Sequence, residues 1–145
     1  MAARIYRGSF ETQPRTISKP VSGALLPGTF VAITSTIAQA TALSGARIGI
    51  LGARDMYSGD ADTAYTSGDT GLAYTLKPDD EFTVAMAAGT YTLGQELTIG
   101  ASGRLAAAAS GNQVVAYFDD EVNAGVALSA GTRADVVIAN VYVKA

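Results

Sequence analysis

The sequence has no cysteine, no histidine and no tryptophan in 145 residues. Without Cys and His there can be no Ser-His-Asp triad, no cysteine nucleophile, no Cys/His zinc site, no c-type haem attachment and no disulfide framework. Catalysis would have to rest on Asp, Glu, Lys, Tyr, Ser or Thr, or on an oxygen-ligated metal. The missing Cys leaves the redox compartment open. Long apolar runs are lacking as well. The most apolar stretch, residues 30–53, is broken by Thr34, Ser35, Thr36, Gln39, Thr41, Ser44 and Arg47, so it does not read as a spanning helix. Residues 1–19 carry Arg4, Arg7, Arg15 and Lys19 and no apolar stretch of signal-peptide length. The expectation is a soluble protein with no membrane partner.

What is present is small and apolar. The chain is 48% hydrophobic and 16% charged, and its 27 Ala, 15 Thr and 16 Gly make 58 small residues. At this length a single domain buries about 68–70% of the surface its unfolded chain exposes, so one folded domain is expected and disorder is not. Apolar content spread over small side chains argues against long Leu-rich helices.

Charge is divided along the chain. The first 20 residues set Arg4, Arg7, Arg15 and Lys19 against Glu11, a net +3, which leaves −6 for residues 21–145 within the total of −3. Pro14 and Pro20 frame a segment without apolar periodicity, and residues 1–22 read as an extended arm preceding one domain over residues 23–145.

From residue 29 the chain turns to short runs rich in Val, Ile, Thr, Tyr and Phe between glycine-bearing turns. Strands are expected over residues 29–37, 47–53, 71–76, 82–87, 90–93, 96–99, 113–119 and 135–143. In the last, Val137, Ala139, Val141 and Val143 form a wholly apolar face, and Val136, Ile138, Asn140 and Tyr142 a mixed one. The Gly94 and Gly103 turns bracket a short strand in a hairpin arrangement. Helix is limited to one or two turns over residues 37–43, 105–109 and 120–128. The fold class is all-β: a small β-barrel or jelly-roll-like sandwich with an extended N-terminal arm and little helix.

Four patterns invite a chemical reading. Asp69-Thr70-Gly71 matches the triplet by which an aspartic protease presents a carboxylate, but it follows the polar turn Thr66-Ser67-Gly68 and not a buried strand, so a turn and strand start is the better reading. Residues 55–69 hold Asp55, Asp60, Asp62 and Asp69 with no basic residue, a loop long enough to ask about calcium, yet the spacing does not match an EF-hand loop. The triplets Asp79-Asp80-Glu81 and Asp119-Asp120-Glu121 contain the acids of a glycosidase pair, but adjacent acids at strand ends more often keep edges soluble. A domain of net −6 repels phosphate, so direct nucleic-acid binding is not expected. The tyrosines, among them Tyr57, Tyr65, Tyr74, Tyr91, Tyr117 and Tyr142, are expected to pack on the barrel or at an interface. No catalytic, cofactor or metal residue is assigned, and a non-enzymatic protein is expected.

Several features together resemble the small head decoration, or cement, proteins of tailed bacteriophages. They are the polar basic arm, the opening Ala24-Leu25-Leu26-Pro27-Gly28-Thr29-Phe30-Val31, the run Leu93-Gly94-Gln95-Glu96-Leu97-Thr98-Ile99 followed by Ser102-Gly103-Arg104-Leu105, the strand Val114-Val115-Ala116-Tyr117-Phe118 and the closing Asp135-Val136-Val137-Ile138. Ala116 stands where Gly is common in that family. The resemblance implies a virion protein made in the host bacterial cytoplasm. It would bind the major capsid protein on the outer capsid surface as a homo-oligomer, a trimer in preference to a dimer, and stabilise the shell without a cofactor. The arm would make the contact, with Arg4, Arg7, Arg15 and Lys19 meeting acidic groups and Ile5, Tyr6, Phe10 and Ile17 as apolar anchors. Alternatives of other classes are a tail-tube, head-completion or adhesin-like β domain, and a calcium-binding carbohydrate-active domain.

Overall fold

A computed structural model describes residues 5–8, 14–41, 47–53 and 62–145. The described chain is almost wholly β. In chain order its strands are β1 (Thr16–Pro20), β2 (Phe30–Ile33), β3 (Ile37–Gln39), β4 (Arg47–Leu51), β5 (Thr70–Thr75), β6 (Glu81–Ala85), β7 (Gly89–Thr90), β8 (Glu96–Ile99), β9 (Leu105–Ala107), β10 (Gln113–Phe118), β11 (Ala127–Leu128) and β12 (Arg133–Val143).

Two five-stranded antiparallel sheets carry the fold, one in the order β1-β5-β4-β2-β3 and the other β6-β12-β10-β8-β9, with β7 and β11 forming a separate pair. Both large sheets curl until their edges approach. Val21, one residue past β1, bridges Ile37 of β3, and Met86, one residue past β6, bridges Leu105 of β9. Each curl follows the right-handed twist that Cβ and carbonyl sterics give strands of L-residues. The all-β class expected from the sequence is therefore what the chain adopts.

The first sheet is apolar on both faces. Phe30, Ile50 and Tyr74 join Phe82, Val84, Met86, Leu97, Leu105, Val115, Phe118, Val136 and Ile138 in the main core between the sheets. On the other face, Val31, Ile33, Ile37, Leu51 and Ala73 pack under Val21, Leu25 and Tyr65. Gly103 couples the sheets at close range. It sits at φ +67°, and a Cβ there would lie 2.6 Å from the Phe30 carbonyl oxygen, so only glycine fits.

Local signals misplace several elements. Residues 29–37 form two strands and not one, because Thr34 N–H bonds the Thr36 carbonyl at 2.9 Å and folds a tight turn between Ile33 and its partner Ile37. The helical turns expected over residues 37–43 and 105–109 begin as β3 and β9. Pairing with β2 and β8 outweighs the helix propensity of Ala, which is a weak prior. Residues 120–128 fold as hydrogen-bonded turns followed by β11. On β12 the buried side chains are Ala134, Val136, Ile138 and Ala139, so the wholly apolar face is not the buried one. A bulge between Val114 and Ala116 of β10 resets the register beyond Ile138.

Residues 1–22 are extended where described, but they belong to the domain. Thr16–Pro20 is β1 and pairs with β5 over its whole length, with Pro20 at the strand end on an edge, where its missing N–H costs no ladder bond. Farther upstream, Thr83 N–H donates to Ile5 O at 2.7 Å and Arg7 N–H to Glu81 O at 2.9 Å, so residues 5–7 line the outer edge of β6.

Candidate functional site

The candidate arm residues fall into three groups. Arg4 and Phe10 lie outside the described residues. Ile5 and Tyr6 are 3% and 4% exposed. The Tyr6 ring packs against Tyr74 and Phe82 with centroids 6.1 and 5.5 Å away, in a three-ring cluster that ties the N-terminal segment to both sheets. These two side chains already serve the chain's own core and are not displayed to a partner. Arg7 is exposed but sits 3.4 Å from Asp135 Oδ1, which also accepts from Thr83 Oγ1 at 2.7 Å. On β1 and just before it, Arg15 is exposed, and Ile17 and Lys19 are half-buried. Arg15, Ile17 and Lys19 share one edge of the first sheet. The remaining arm candidates are not gathered with them.

The acidic patterns resolve into turn chemistry. Asp69 accepts from the Thr66 backbone N–H at 2.9 Å and closes the turn that starts β5, so the Asp-Thr-Gly triplet is structural. Asp62 pairs with Arg133, and Asp55 and Asp60 lie outside the described residues. Asp80 immediately precedes β6. Its buried Oδ2 has no hydrogen-bond partner among the described residues, and burial is the main cause that pushes its carboxyl up from the usual range, against the pull of Lys77.

Asp120 is different, and its role was not anticipated from the sequence. Its Oδ1 accepts from the N–H of Val122 and Asn123 at 3.1 and 3.0 Å, and its Oδ2 from Asn123 Nδ2 and Asp135 N–H at 2.9 and 3.2 Å. Burial pushes this carboxyl up, but the hydrogen bonds from Asn123, Asp135 and Val122 outweigh it and hold the group below the usual range. The Asp-x-x-Asn spacing is the signal that marks such a turn cap.

That cap fixes an exposed apolar surface. Val122 and Val126, carried by the capped turn, are 85% and 46% exposed. Gly125 N–H bonds Tyr91 O and Gly94 N–H bonds Phe118 O, each at 2.8 Å, so the turn bearing Leu93, itself 52% exposed, lies beside them. Gln95 Oε1 closes this second turn on Thr92 N–H at 2.9 Å. Behind both turns, Tyr91 stacks on Phe118 at 5.4 Å and donates its hydroxyl to Ala87 O at 2.7 Å. The arrangement offers an apolar tip flanked by the exposed acids Asp119 and Glu121. Its chemistry is that of a contact surface.

No protein-family model and no curated protein matches the chain.

Proposed function

We propose that the protein is a head decoration protein of a tailed bacteriophage, which attaches as an oligomer to the major capsid protein on the outside of an assembled capsid and stabilises the shell. The observation that carries this reading is the apolar tip of Leu93, Val122 and Val126. It is carried by a turn that Asp120 caps with hydrogen bonds, on an all-β domain whose sequence lacks His and Cys. A preorganised apolar surface binds without a large ordering cost, as an additive clamp requires. The β1 edge, with Arg15 and Lys19, supplies the basic contact assigned to the arm, in place of the core-bound Ile5 and Tyr6. The resemblance favours a trimer over a dimer.

The test is binding to purified expanded capsids that lack the protein, followed by sedimentation and by electron cryo-microscopy. Stoichiometric occupancy on the outer surface, lost in Val122→Asp while the fold is retained, is the expected result. Absence of binding to any capsid of the source particle, or absence of the chain from purified particles, overturns the proposal.

A further inference from the structure

Among the described residues, the strand edges of the two large sheets are covered or protected, with one exception. Residues 5–7 cover β6, Val21 and Ser22 run beside β3, and Met86 and Ala87 run beside β9. The outer edge of β1 carries Lys19 and Pro20, both of which discourage pairing. The exception is the far half of β12. Its pairing with β6 ends at Val137 opposite Glu81, and Ile138 makes the last bonds on that side, to Asp79 and Asp80. Residues beyond Ile138 pair only with β10, at Val114–Tyr142 and Gln113–Val143.

Which backbone groups are left open follows from alternation. Lys144 N–H donates to Asn112 O and Lys144 O accepts from Gly111 N–H, so Lys144 faces β10, as does Tyr142 two residues back. The N–H and C=O of Val143, and the C=O of Val141, which lies trans to the Tyr142 N–H across their peptide, therefore face away from β10, where no strand lies among the described residues; the register break ends at Val141. This bare edge bears no charged side chain from Ala139 to Val143, and Val141, Tyr142 and Val143 are 50%, 36% and 61% exposed.

We propose that this edge pairs with the same edge of a second copy, antiparallel about a two-fold axis at Tyr142. The register is set by the open groups themselves. The Val143 N–H of each copy donates to the Val141 C=O of the other, two equivalent bonds about the axis, as an isologous contact requires. Tyr142 then faces its own copy as a non-hydrogen-bonded pair, the type that brings side chains closest, on the face where it already packs on Tyr117 at 6.4 Å. On the other face Val141 meets Val143. Charges agree with this register: Lys144 falls opposite the neutral Asn140, and its ammonium is held by Glu96 at 3.6 Å and by Ala108 O at 3.0 Å within its own chain, so no like charges meet. The unit formed is a dimer, in contrast to the trimer favoured by the resemblance, and it does not depend on what the protein binds.

Sedimentation equilibrium of the full chain over a wide dilution series is the first measurement, with twice the chain mass expected. The sequence has no cysteine, so a disulfide in Tyr142→Cys joins two copies. A pair separated by about 4.5 Å between Cα atoms is within bridging range, and oxidation should give a covalent dimer, whereas Val122→Cys should not. V141K/V143K sets Lys against Lys and should give a monomer, whereas V141K/V143E sets Lys against Glu and should remain a dimer. A wild-type monomer, a ring whose mass V141K/V143K leaves unchanged, or no cross-link in Tyr142→Cys overturns the pairing. A monomer that still occupies capsids refutes the pairing and leaves the decoration reading standing, and a dimer that binds no capsid does the reverse.

Discussion

Replacing Asp120 by Ala removes an acceptor that four donors share, and the structure fixes how much stability goes with it. The Val122 and Asn123 amides lie in an exposed turn and regain water, so their share is that of a lost turn cap, about 1 kcal/mol. The Asp135 N–H lies on β12 beside a carboxylate that is 7% exposed, and leaving it without an acceptor costs a further ~1–3 kcal/mol. The sum is about 2–4 kcal/mol, or a fall in Tm of roughly 10 °C for a chain of this size. Asp120→Asn keeps Oδ1 and loses the acceptor at Oδ2, so about half of that loss is expected. The two variants also differ from the wild type in pH dependence. A carboxyl whose folded pKa is depressed contributes stability that is present above its unfolded value of 3.8 and is lost as pH falls through the folded value. The stability gap between wild type and Asp120→Asn should therefore be full at neutral pH and close in acid. Urea unfolding at a series of pH values measures both quantities. An Asp120→Ala variant within about 0.5 kcal/mol of wild type, the range of an ordinary surface change, or a gap that does not close in acid, would refute the reasoning.

Three further outcomes are expected. Gly103→Ala meets both a positive φ and the Phe30 carbonyl, and should destabilise by at least about 1–3 kcal/mol in thermal melts; an unchanged Tm would mean the sheets do not approach there as described. Asp80 has the opposite sign to Asp120: its folded pKa is raised by burial, so its ionised form costs stability at neutral pH and the cost is relieved as pH falls through the folded value. Asp80→Asn should raise Tm near neutrality and lose that advantage in acid. Tyr6→Ala opens the three-ring cluster and should cost about 3–5 kcal/mol, the value for a buried aromatic, with loss of near-ultraviolet circular dichroism; a surface arm would show neither effect.

Strand positions were legible where alternation and flanking glycines agree, as at β8, which occupies residues 96–99 as expected, and β5, which differs by one residue at each end. They were illegible where the deciding contact is distant. Ala106 and Ala107 carry helix propensity and no β signal, yet they pair with Thr98 and Leu97. Nothing within Thr16–Pro20 announces a strand, and its partner β5 lies far downstream at residues 70–75. The apolar tip was hidden for another reason. Val122 reads as one apolar residue in a polar stretch. Only the Asp120 hydrogen bonds, together with the backbone bonds from Gly125 to Tyr91 and from Gly94 to Phe118, bring it beside Leu93.

The burial of Ile5 and Tyr6 changes what an N-terminal tether can mean in this chain. Releasing them would forfeit about 1.5–3 kcal/mol for each fully buried large side chain, together with the two backbone bonds to β6 and the Arg7–Asp135 contact. A partner would have to return all of that before any net attraction appeared. Truncating residues 2–20 is for the same reason an unfit test of docking, because it removes β1 and exposes one edge of β5 along with Phe82 and Tyr74. Charge reversal at Arg15 and Lys19, which are surface groups of the first sheet, perturbs the basic contact without touching the core. If the charge division of the sequence serves attachment, these two substitutions should weaken capsid binding more at low salt than at high salt, since exposed charges are screened beyond about 10 Å at 0.1 M ionic strength. A salt-independent effect, or none, would place attachment on the apolar tip alone.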